Sequence, residues 1–183
     1  MYKPGLIVFI LLWVIWLAPF VTRRRGGGQR AAVTAPAARW GIVLEGIGMG
    51  VVWFHNPSWP RPPTWRIIVC LLLALFACVI SWTAVSALGK QWRFDAALGP
   101  EHDLVQSGPY AFVRHPIYAS MLLMLVATGL MMSNRIGLSI ALVLYIAGTE
   151  IRVHVEERLL SSRFGDQFEQ YRRRVSAYLP GLR

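Results

Sequence analysis

The sequence contains few of the residues from which metal centres and disulfide frameworks are built. Its 183 residues include 2 cysteines, 4 histidines and 9 acidic residues. Cys70 and Cys78 lie in the same apolar run with no accompanying set of ligands, so neither a disulfide framework nor a zinc site is predicted. The four histidines are far apart, whereas a membrane di-iron oxidase or desaturase needs them in clusters. The sequence therefore predicts no metal.

Charge is scarce and mostly positive. Charged residues make up 15% of the chain and hydrophobic residues 55%, and the mean hydropathy is +0.46. A chain this apolar is not an ordinary soluble domain. The net charge of +10 could indicate nucleic-acid binding, but the basic residues flank apolar runs, as at an anionic membrane surface, and no nucleic-acid-binding motif accompanies them.

Five apolar runs have about the length of a membrane span. A cleavable signal peptide is the competing interpretation of the first run, but Arg23, Arg24 and Arg25 follow it in place of small residues. The predicted spans are residues 5–21, 40–55, 65–88, 116–132 and 136–151.

Residues 152–175 keep apolar side chains at helical spacing among many charges, which predicts an amphipathic helix at the interface, with Gly165 as a candidate break. The predicted fold class is all-α: a polytopic integral membrane protein with about five transmembrane helices and a C-terminal amphipathic helix. With the N-terminus outside, 15 of the 19 Lys and Arg lie on the inner side and 4 on the outer side. This bias predicts a multi-pass protein whose C-terminal segment is cytoplasmic.

Polar groups gather at the predicted mouth of the fourth span, between residues 107 and 118. Placing Tyr110, Arg114 and His115 there is costly unless they face a partner or a ligand. Arg152 and Glu156 lie one helical turn apart on the same membrane side. By spacing alone, that pair is either a surface ion pair worth about 0.3–0.5 kcal/mol or part of a functional site.

Glu45 lies inside the second apolar run. It is either a functional carboxylate or an acid bonded to a neighbouring helix, and the sequence leaves both interpretations open. Gly46, Gly48 and Gly50 follow it. No strand precedes these glycines, so close helix packing explains them better than a nucleotide-binding loop.

An ordered set of short motifs resembles the isoprenylcysteine carboxyl methyltransferase family, whose relatives include the phospholipid N-methyltransferases. The resemblance covers about residues 82–182. It implies a division into N-terminal helices, 1–88, and a methyltransferase core, 89–183. The motifs are Glu101-His102-Asp103-Leu104-Val105, Ser107-Gly108-Pro109-Tyr110, Arg114-His115-Pro116-Ile117-Tyr118, Glu156-Glu157, and Phe164-Gly165 before Tyr171.

The resemblance implies methyl transfer from S-adenosylmethionine in a cytosolic pocket, with carboxyl O-methylation of an isoprenylcysteine-like lipophilic substrate as the preferred reaction. Arg152 and Glu156 are the implied catalytic residues, and Arg152 would also hold the anionic group of the substrate. Some relatives have a Gln where this chain has Asp95, so Asp95 is not among the implied cofactor-binding residues. The implied cofactor-binding residues are His102, Asp103, Leu104, Val105, Tyr110, His115, Pro116, Ile117, Tyr118 and Glu156.

Several alternatives remain open. The guanidinium of Arg152 fits a carboxylate, but it fits a phosphate nearly as well, so N-methylation of an ethanolamine phospholipid is the alternative reaction. A small transporter or structural subunit is the non-enzyme alternative, although it would not need the cytosolic polar cluster. His115 is expected to contact the cofactor; a general base and a structural group are the other interpretations. His55 and His154 are expected to be structural. The expected partners are a lipophilic or prenylated substrate and membrane lipids, and the oligomeric state is unknown.

Overall fold

The described part of the chain is almost entirely helical. The computed structural model describes residues 2–22, 33–34, 37–54, 62–92, 97–98 and 103–178. Within these residues the only strands are Val33–Thr34 (β1) and Ala97–Leu98 (β2), which pair antiparallel and which the sequence pattern did not predict. The prediction of a helical protein is confirmed. The helices are Tyr2–Thr22 (α1), Ala38–Phe54 (α2), Thr64–Leu88 (α3), Pro116–Met132 (α4), Arg135–Phe164 (α5) and Asp166–Arg174 (α6).

Three of the described helical segments are long and apolar enough to cross a membrane: Lys3–Thr22, Thr64–Gln91 and Arg135–Phe164. Helix α4 is also apolar but shorter, at 17 residues. Large apolar side chains remain exposed along these helices, including Val14, Leu72 and Val143. A surface of this kind suits lipid as its solvent.

The predicted boundary between a fifth span ending at residue 151 and a separate amphipathic helix over 152–175 is wrong. Helix α5 continues without interruption for 30 residues to Phe164. The change from apolar to charged residues near Arg152 does not end the helical backbone, because residues 156–160 (Glu-Glu-Arg-Leu-Leu) are good helix formers. The predicted break at Gly165 is confirmed: its φ of +49° is a left-handed conformation that favours glycine, and α6 starts immediately after it.

Helix α1 is held against α3 and α4 by polar contacts. Pro19 lies inside α1 and has no N–H, so the carbonyl of Ile15 loses its usual helical donor. The indole of Trp82 on α3 donates to that carbonyl at 2.9 Å. The indole of Trp13 donates to the Thr128 hydroxyl on α4 at 3.1 Å. The indole of Trp16 donates to the Ser120 hydroxyl at 3.4 Å, which holds the C-terminal half of α1 beside the first turns of α4.

Helix α2 packs closely against α5 through glycines. A methyl group built on Gly148 would lie only 2.6 Å from the Gly41 carbonyl oxygen and 3.0 Å from the Glu45 backbone nitrogen. A methyl group on Gly48 would lie 2.9 Å from the Ala141 carbonyl oxygen. The expectation of close packing therefore holds for Gly48. It is wrong for the other two glycines of the run, Gly46 and Gly50, where an added methyl group meets nothing within 4 Å.

The Gly148→Ala substitution is expected to destabilise the protein by about 1–3 kcal/mol, because the neighbouring atoms are backbone and cannot move aside without separating the helices. Gly46→Ala is the matched control: it adds the same methyl group into open space in a helix and should be neutral or stabilising by up to about 1 kcal/mol. Thermal unfolding in detergent measures both changes. Equal melting temperatures for the two variants would contradict the close contact between α2 and α5.

A hairpin joins α4 to α5. The side chain of Asn134 caps α5 by accepting a hydrogen bond from the Gly137 backbone N–H at 2.8 Å. At the same end of the molecule, Arg66 donates to the carbonyl oxygens of Leu130 and Ser133 at the end of α4, at 2.5 and 3.3 Å. The tight turn predicted for residues 133–135 is therefore formed, and the hairpin brings the start of α4 beside the middle of α5.

Candidate active site

The segment before α4 has no regular secondary structure over residues 103–106 and then forms a short 3₁₀ turn. Asp103 donates its backbone N–H to the side-chain oxygen of Gln91 at 3.0 Å, which ties the segment to the 3₁₀ turn that follows α3. The turn Gly108–Ala111 begins at a glycine with φ +61°. Pro116 then opens α4, as the sequence predicted, because its missing N–H and fixed φ suit a first helical turn.

The segment that follows α6 lies along the start of α4. The backbone N–H groups of Arg114 and His115 donate to the carbonyls of Ser176 and Ala177 at 2.8 and 3.0 Å. Tyr171 on α6 donates its hydroxyl to the Tyr110 carbonyl at 2.6 Å. Burial raises the pKa of Tyr171 to about 12, so the phenol keeps the proton that this bond requires. The C-terminal segment is thereby held over the polar cluster before α4.

Two adjacent carboxylates on α5 serve different partners. Glu157 accepts from Arg114 at 2.7 and 2.9 Å and lies 3.1 Å from Nε2 of His115. Glu156 accepts a hydrogen bond from the Tyr118 hydroxyl. Because successive helical residues point about 100° apart, one carboxylate faces the C-terminal segment and the other faces α4.

His115 is buried between these carboxylates, with its Nδ1 3.8 Å from Glu156. A ring bonded to Glu157 through Nε2 is fixed in orientation. The sequence motif contained Glu157, but it was not among the predicted site residues. Its adjacency to Glu156 was the signal that could have found it.

Arg152 is buried, with 7% of its surface exposed, and its charge is paired. Its Nη1 donates to Oε2 of Glu45 on α2 at 2.9 Å, and its guanidinium carbon lies 4.9 Å from the centre of the Tyr118 ring. Glu45 also accepts from the Thr149 hydroxyl at 3.0 Å. Of the two interpretations of Glu45 left open above, bonding to a neighbouring helix is what the structure shows.

A cavity of about 340 Å³ is lined by Arg114, His115, Tyr118, Arg152 and Glu156 among these groups. Of the predicted site residues that the structure describes, every one lines it; His102, like Asp95 and His55, lies outside the described residues. The predicted site residues that it brings together are Asp103, Leu104, Val105, Tyr110, His115, Pro116, Ile117, Tyr118, Arg152 and Glu156.

One wall of the cavity was not predicted. Trp16 and Phe20 of α1 line it together with Trp92, and the ring centres are 5.3 Å apart between Trp16 and Phe20 and 5.9 Å apart between Phe20 and Trp92. Leu17 and Val21 of α1 complete this wall, and Val21 is 80% exposed. These side chains sit in an apolar span, where nothing in the sequence separates cavity-facing from lipid-facing residues. The cavity therefore has a polar side from α4 and α5 and an apolar side from α1.

Metal binding has no visible basis in the described ranges: they contain no group of three or more His, Cys, Asp or Glu side chains that could hold an ion. Cys70 and Cys78 are buried as free thiols.

The fold and the cavity define a class: a helical membrane protein with a mixed polar and apolar pocket where one helical hairpin meets an aromatic helix. The chain belongs to the isoprenylcysteine carboxyl methyltransferase (ICMT) family, whose sequence model matches residues 68–162, about half of the chain. The family predicted from the motifs is confirmed.

Named relatives extend the match. The protein-S-isoprenylcysteine O-methyltransferase of Schizosaccharomyces pombe is 38% identical over 81 residues, which cover 44% of this chain and 34% of that protein. The human protein-S-isoprenylcysteine O-methyltransferase is 30% identical over 134 residues, 70% of this chain and 47% of that protein. The cobalt-zinc-cadmium resistance protein CzcN of Cupriavidus metallidurans is 29% identical over 164 residues, 89% of this chain and 67% of that protein. The chain thus spans between a third and a half of the length of the first two relatives.

Proposed function

We propose that this protein is a membrane methyltransferase that uses S-adenosylmethionine to O-methylate the carboxyl group of an isoprenylcysteine-like lipophilic acceptor. The observation that carries the proposal is the single cavity in which the family motifs meet the apolar wall of α1. Family membership supports methyl transfer. The names of the yeast and human relatives support a prenylated cysteine as the acceptor class.

The cavity residues fit the methyl donor. Asp103 and Glu156 provide two carboxylates for a ligand with a cationic amino group and a cationic sulfur. Leu104, Val105 and Ile117 provide apolar surface for its less polar parts. The volume of about 340 Å³ lies within the range of about 300–1,000 Å³ that small-molecule sites occupy. His102 belongs to this proposed donor set by its motif.

When bound, S-adenosylmethionine supplies a methyl group on a positively charged sulfur, which takes the carbon–sulfur bonding electrons as an acceptor oxygen attacks the methyl carbon. The task of the protein is to align the two reactants and to exclude water. Tyr171 and the segment after α6 cover the polar side of the site from solvent. An ionised carboxyl acceptor needs no general base, which agrees with a His115 ring bonded to Glu157.

Arg152 supports an anionic acceptor group, since a guanidinium forms charge-assisted hydrogen bonds with carboxylates. It lies on the cavity surface together with Met121 and the aromatic side chains of α1. A lipid chain directed along that apolar wall would bring its polar end to Arg152. In this proposal the helices of residues 1–88 contribute the lipid side of the site, and residues 89–183 contribute the donor side.

The proposed topology is multi-pass, with the cavity on the cytoplasmic face. The three long apolar helices support membrane insertion, and the excess of 15 basic residues on one side over 4 on the other supports the orientation. N-methylation of an ethanolamine lipid is less well supported, because an ammonium acceptor must first lose a proton. A transporter or structural subunit would leave the cavity without a chemical role.

Labelled methyl transfer tests the proposal. The purified protein is incubated with methyl-labelled S-adenosylmethionine and, separately, with N-acetyl-S-farnesylcysteine, its carboxamide, and phosphatidylethanolamine vesicles. We expect label only on the farnesylcysteine acid, as a methyl ester from which mild base releases labelled methanol. Label on phosphatidylethanolamine would overturn the acceptor class. Absence of both transfer and S-adenosylhomocysteine binding would overturn the enzyme assignment.

A further inference from the structure

Glu45 is a carboxylate inside an apolar helix, and it lies outside the residues that the family model matches. Only 4% of its surface is exposed. Both of its carboxylate oxygens accept hydrogen bonds from α5, Oε1 from Thr149 at 3.0 Å and Oε2 from Arg152 at 2.9 Å. A buried charge in a membrane helix is costly, and its pairing with a cavity residue points to a role in the cavity.

Glu45 reaches the cavity only through Arg152. Glu45 is not among the residues that line the cavity, whereas Arg152 is. The Arg152 guanidinium carbon lies 4.9 Å from the centre of the Tyr118 ring, whose hydroxyl donates to Glu156. The backbone contact between Gly41 and Gly148 fixes α2 against α5 one turn from this ion pair. The position of the Glu45 carboxylate relative to Arg152 is therefore set by the packing of two helices.

We infer that Glu45 is a positioning residue that holds Arg152 at the cavity and balances its charge, so that an acceptor carboxylate is bound weakly. This inference rests on the proposed function. A carboxylate approaching Arg152 shares the guanidinium with a second carboxylate, whose negative charge opposes its binding. Tight pairing with Arg152 would stabilise the ionised acceptor carboxylate more than the transition state, in which its negative charge is being lost. Weak binding therefore keeps the acceptor oxygen nucleophilic.

The same arrangement suits the product. Methylation converts the anionic acceptor into a neutral ester, which leaves Arg152 without a substrate anion. Glu45 is a permanent counter-ion, so Arg152 stays paired in a buried site when the ester leaves. Without a counter-ion for Arg152, the cavity would instead bind the unmethylated acid more tightly than the ester.

The measurement is the ratio of two affinities, that of N-acetyl-S-farnesylcysteine acid to that of its neutral carboxamide, by calorimetry in the presence of S-adenosylhomocysteine. Glu45→Gln keeps a hydrogen-bond acceptor for Arg152 and a polar partner for Thr149 but removes the charge. We expect it to raise the preference for the acid about tenfold. In turnover, KM for the acid and kcat should both fall. Affinity for the carboxamide should change less than twofold.

Three further variants separate this role from helix packing. Glu45→Asp moves the carboxylate away from Arg152 by one methylene, so it should raise the preference for the acid about threefold. This variant takes the place of Glu45→Gln if Glu45→Gln does not fold. Thr149→Val loses one hydrogen bond to Glu45 but no charge and should keep the wild-type ratio. Glu169→Gln removes a more exposed carboxylate, paired with Arg172 at 3.3 Å, and should also keep it.

The double variant Glu45→Gln with Arg152→Gln tests whether Glu45 acts through Arg152. The acid preference gained in Glu45→Gln should disappear in this background. An unchanged ratio in the folded Glu45 variants, or an equal change for acid and carboxamide, would overturn the inference and leave Glu45 as a packing residue. If the wild-type protein binds neither compound, the proposed function fails instead, so the two failures are distinguishable.

Discussion

Glu156→Ala is expected to lower the affinity for S-adenosylhomocysteine by about 10²–10³-fold, the cost of truncating one partner of a buried charged contact. The Glu156 carboxylate lines the cavity and accepts from the Tyr118 hydroxyl, which the alanine variant leaves without this acceptor. Its Oε2 also lies 3.8 Å from Nδ1 of His115. Calorimetry with S-adenosylhomocysteine measures the change directly.

Two controls accompany this experiment. Glu169→Ala removes a carboxylate of α6 whose ion pair lies away from the cavity, and it should keep wild-type affinity. Tyr118→Phe removes the phenol that binds Glu156 and should cost about tenfold or less, because the carboxylate remains. Near-unchanged affinity in Glu156→Ala would refute the assignment of Glu156 to the donor pocket.

Arg152→Ala should reduce turnover of the farnesylcysteine acid by about 10³-fold while affinity for S-adenosylhomocysteine stays within about threefold. The predicted loss corresponds to about 4 kcal/mol, in the range for removing one partner of a buried, hydrogen-bonded charge. The reason is that Arg152 is a cationic side chain that lines the same cavity as the apolar wall of α1. Labelled methyl transfer and calorimetry together measure this split, and loss of donor affinity alone would contradict the role.

This variant has a second consequence that must be separated from the first. Removing Arg152 strands the buried Glu45 carboxylate, which should cost about 3–5 kcal/mol of stability. Adding Glu45→Gln should restore most of the melting temperature but none of the turnover. Recovery of turnover in the double variant would show that Arg152 acts on stability and not on the acceptor.

The sequence predicted the parts of the site that are close together along the chain. Pro116 and Gly165 mark helix boundaries by their own backbone chemistry, so the start of α4 and the helix break at Gly165 followed from single residues. The polar residues before α4 were conspicuous because polar groups are costly at the mouth of an apolar helix. The family motifs then assigned these residues to one pocket.

The sequence could not predict the contacts between distant helices. The ion pair between Glu45 and Arg152 joins residues separated by 107 positions, and it depends on how α2 packs against α5. Trp16 and Phe20 line the cavity, but in an apolar helix their composition is that of any lipid-facing residue. The continuation of α5 past Arg152 could not be predicted, because a change in side-chain polarity along the chain does not require the helical backbone to end.

The unbroken α5 fixes both the distance and the rotation between its first residues and the side chains that reach the cavity. Arg152 follows the capping residue Asn134 by 18 positions, which is five helical turns of 3.6 residues, or about 27 Å, close to the thickness of a bilayer core of about 30 Å. One inserted residue between them would turn Arg152 and Glu156 by about 100° away from α4. The apolar residues of this helix have no chemistry of their own, yet their number sets the phase at which the reactive side chains reach the cavity.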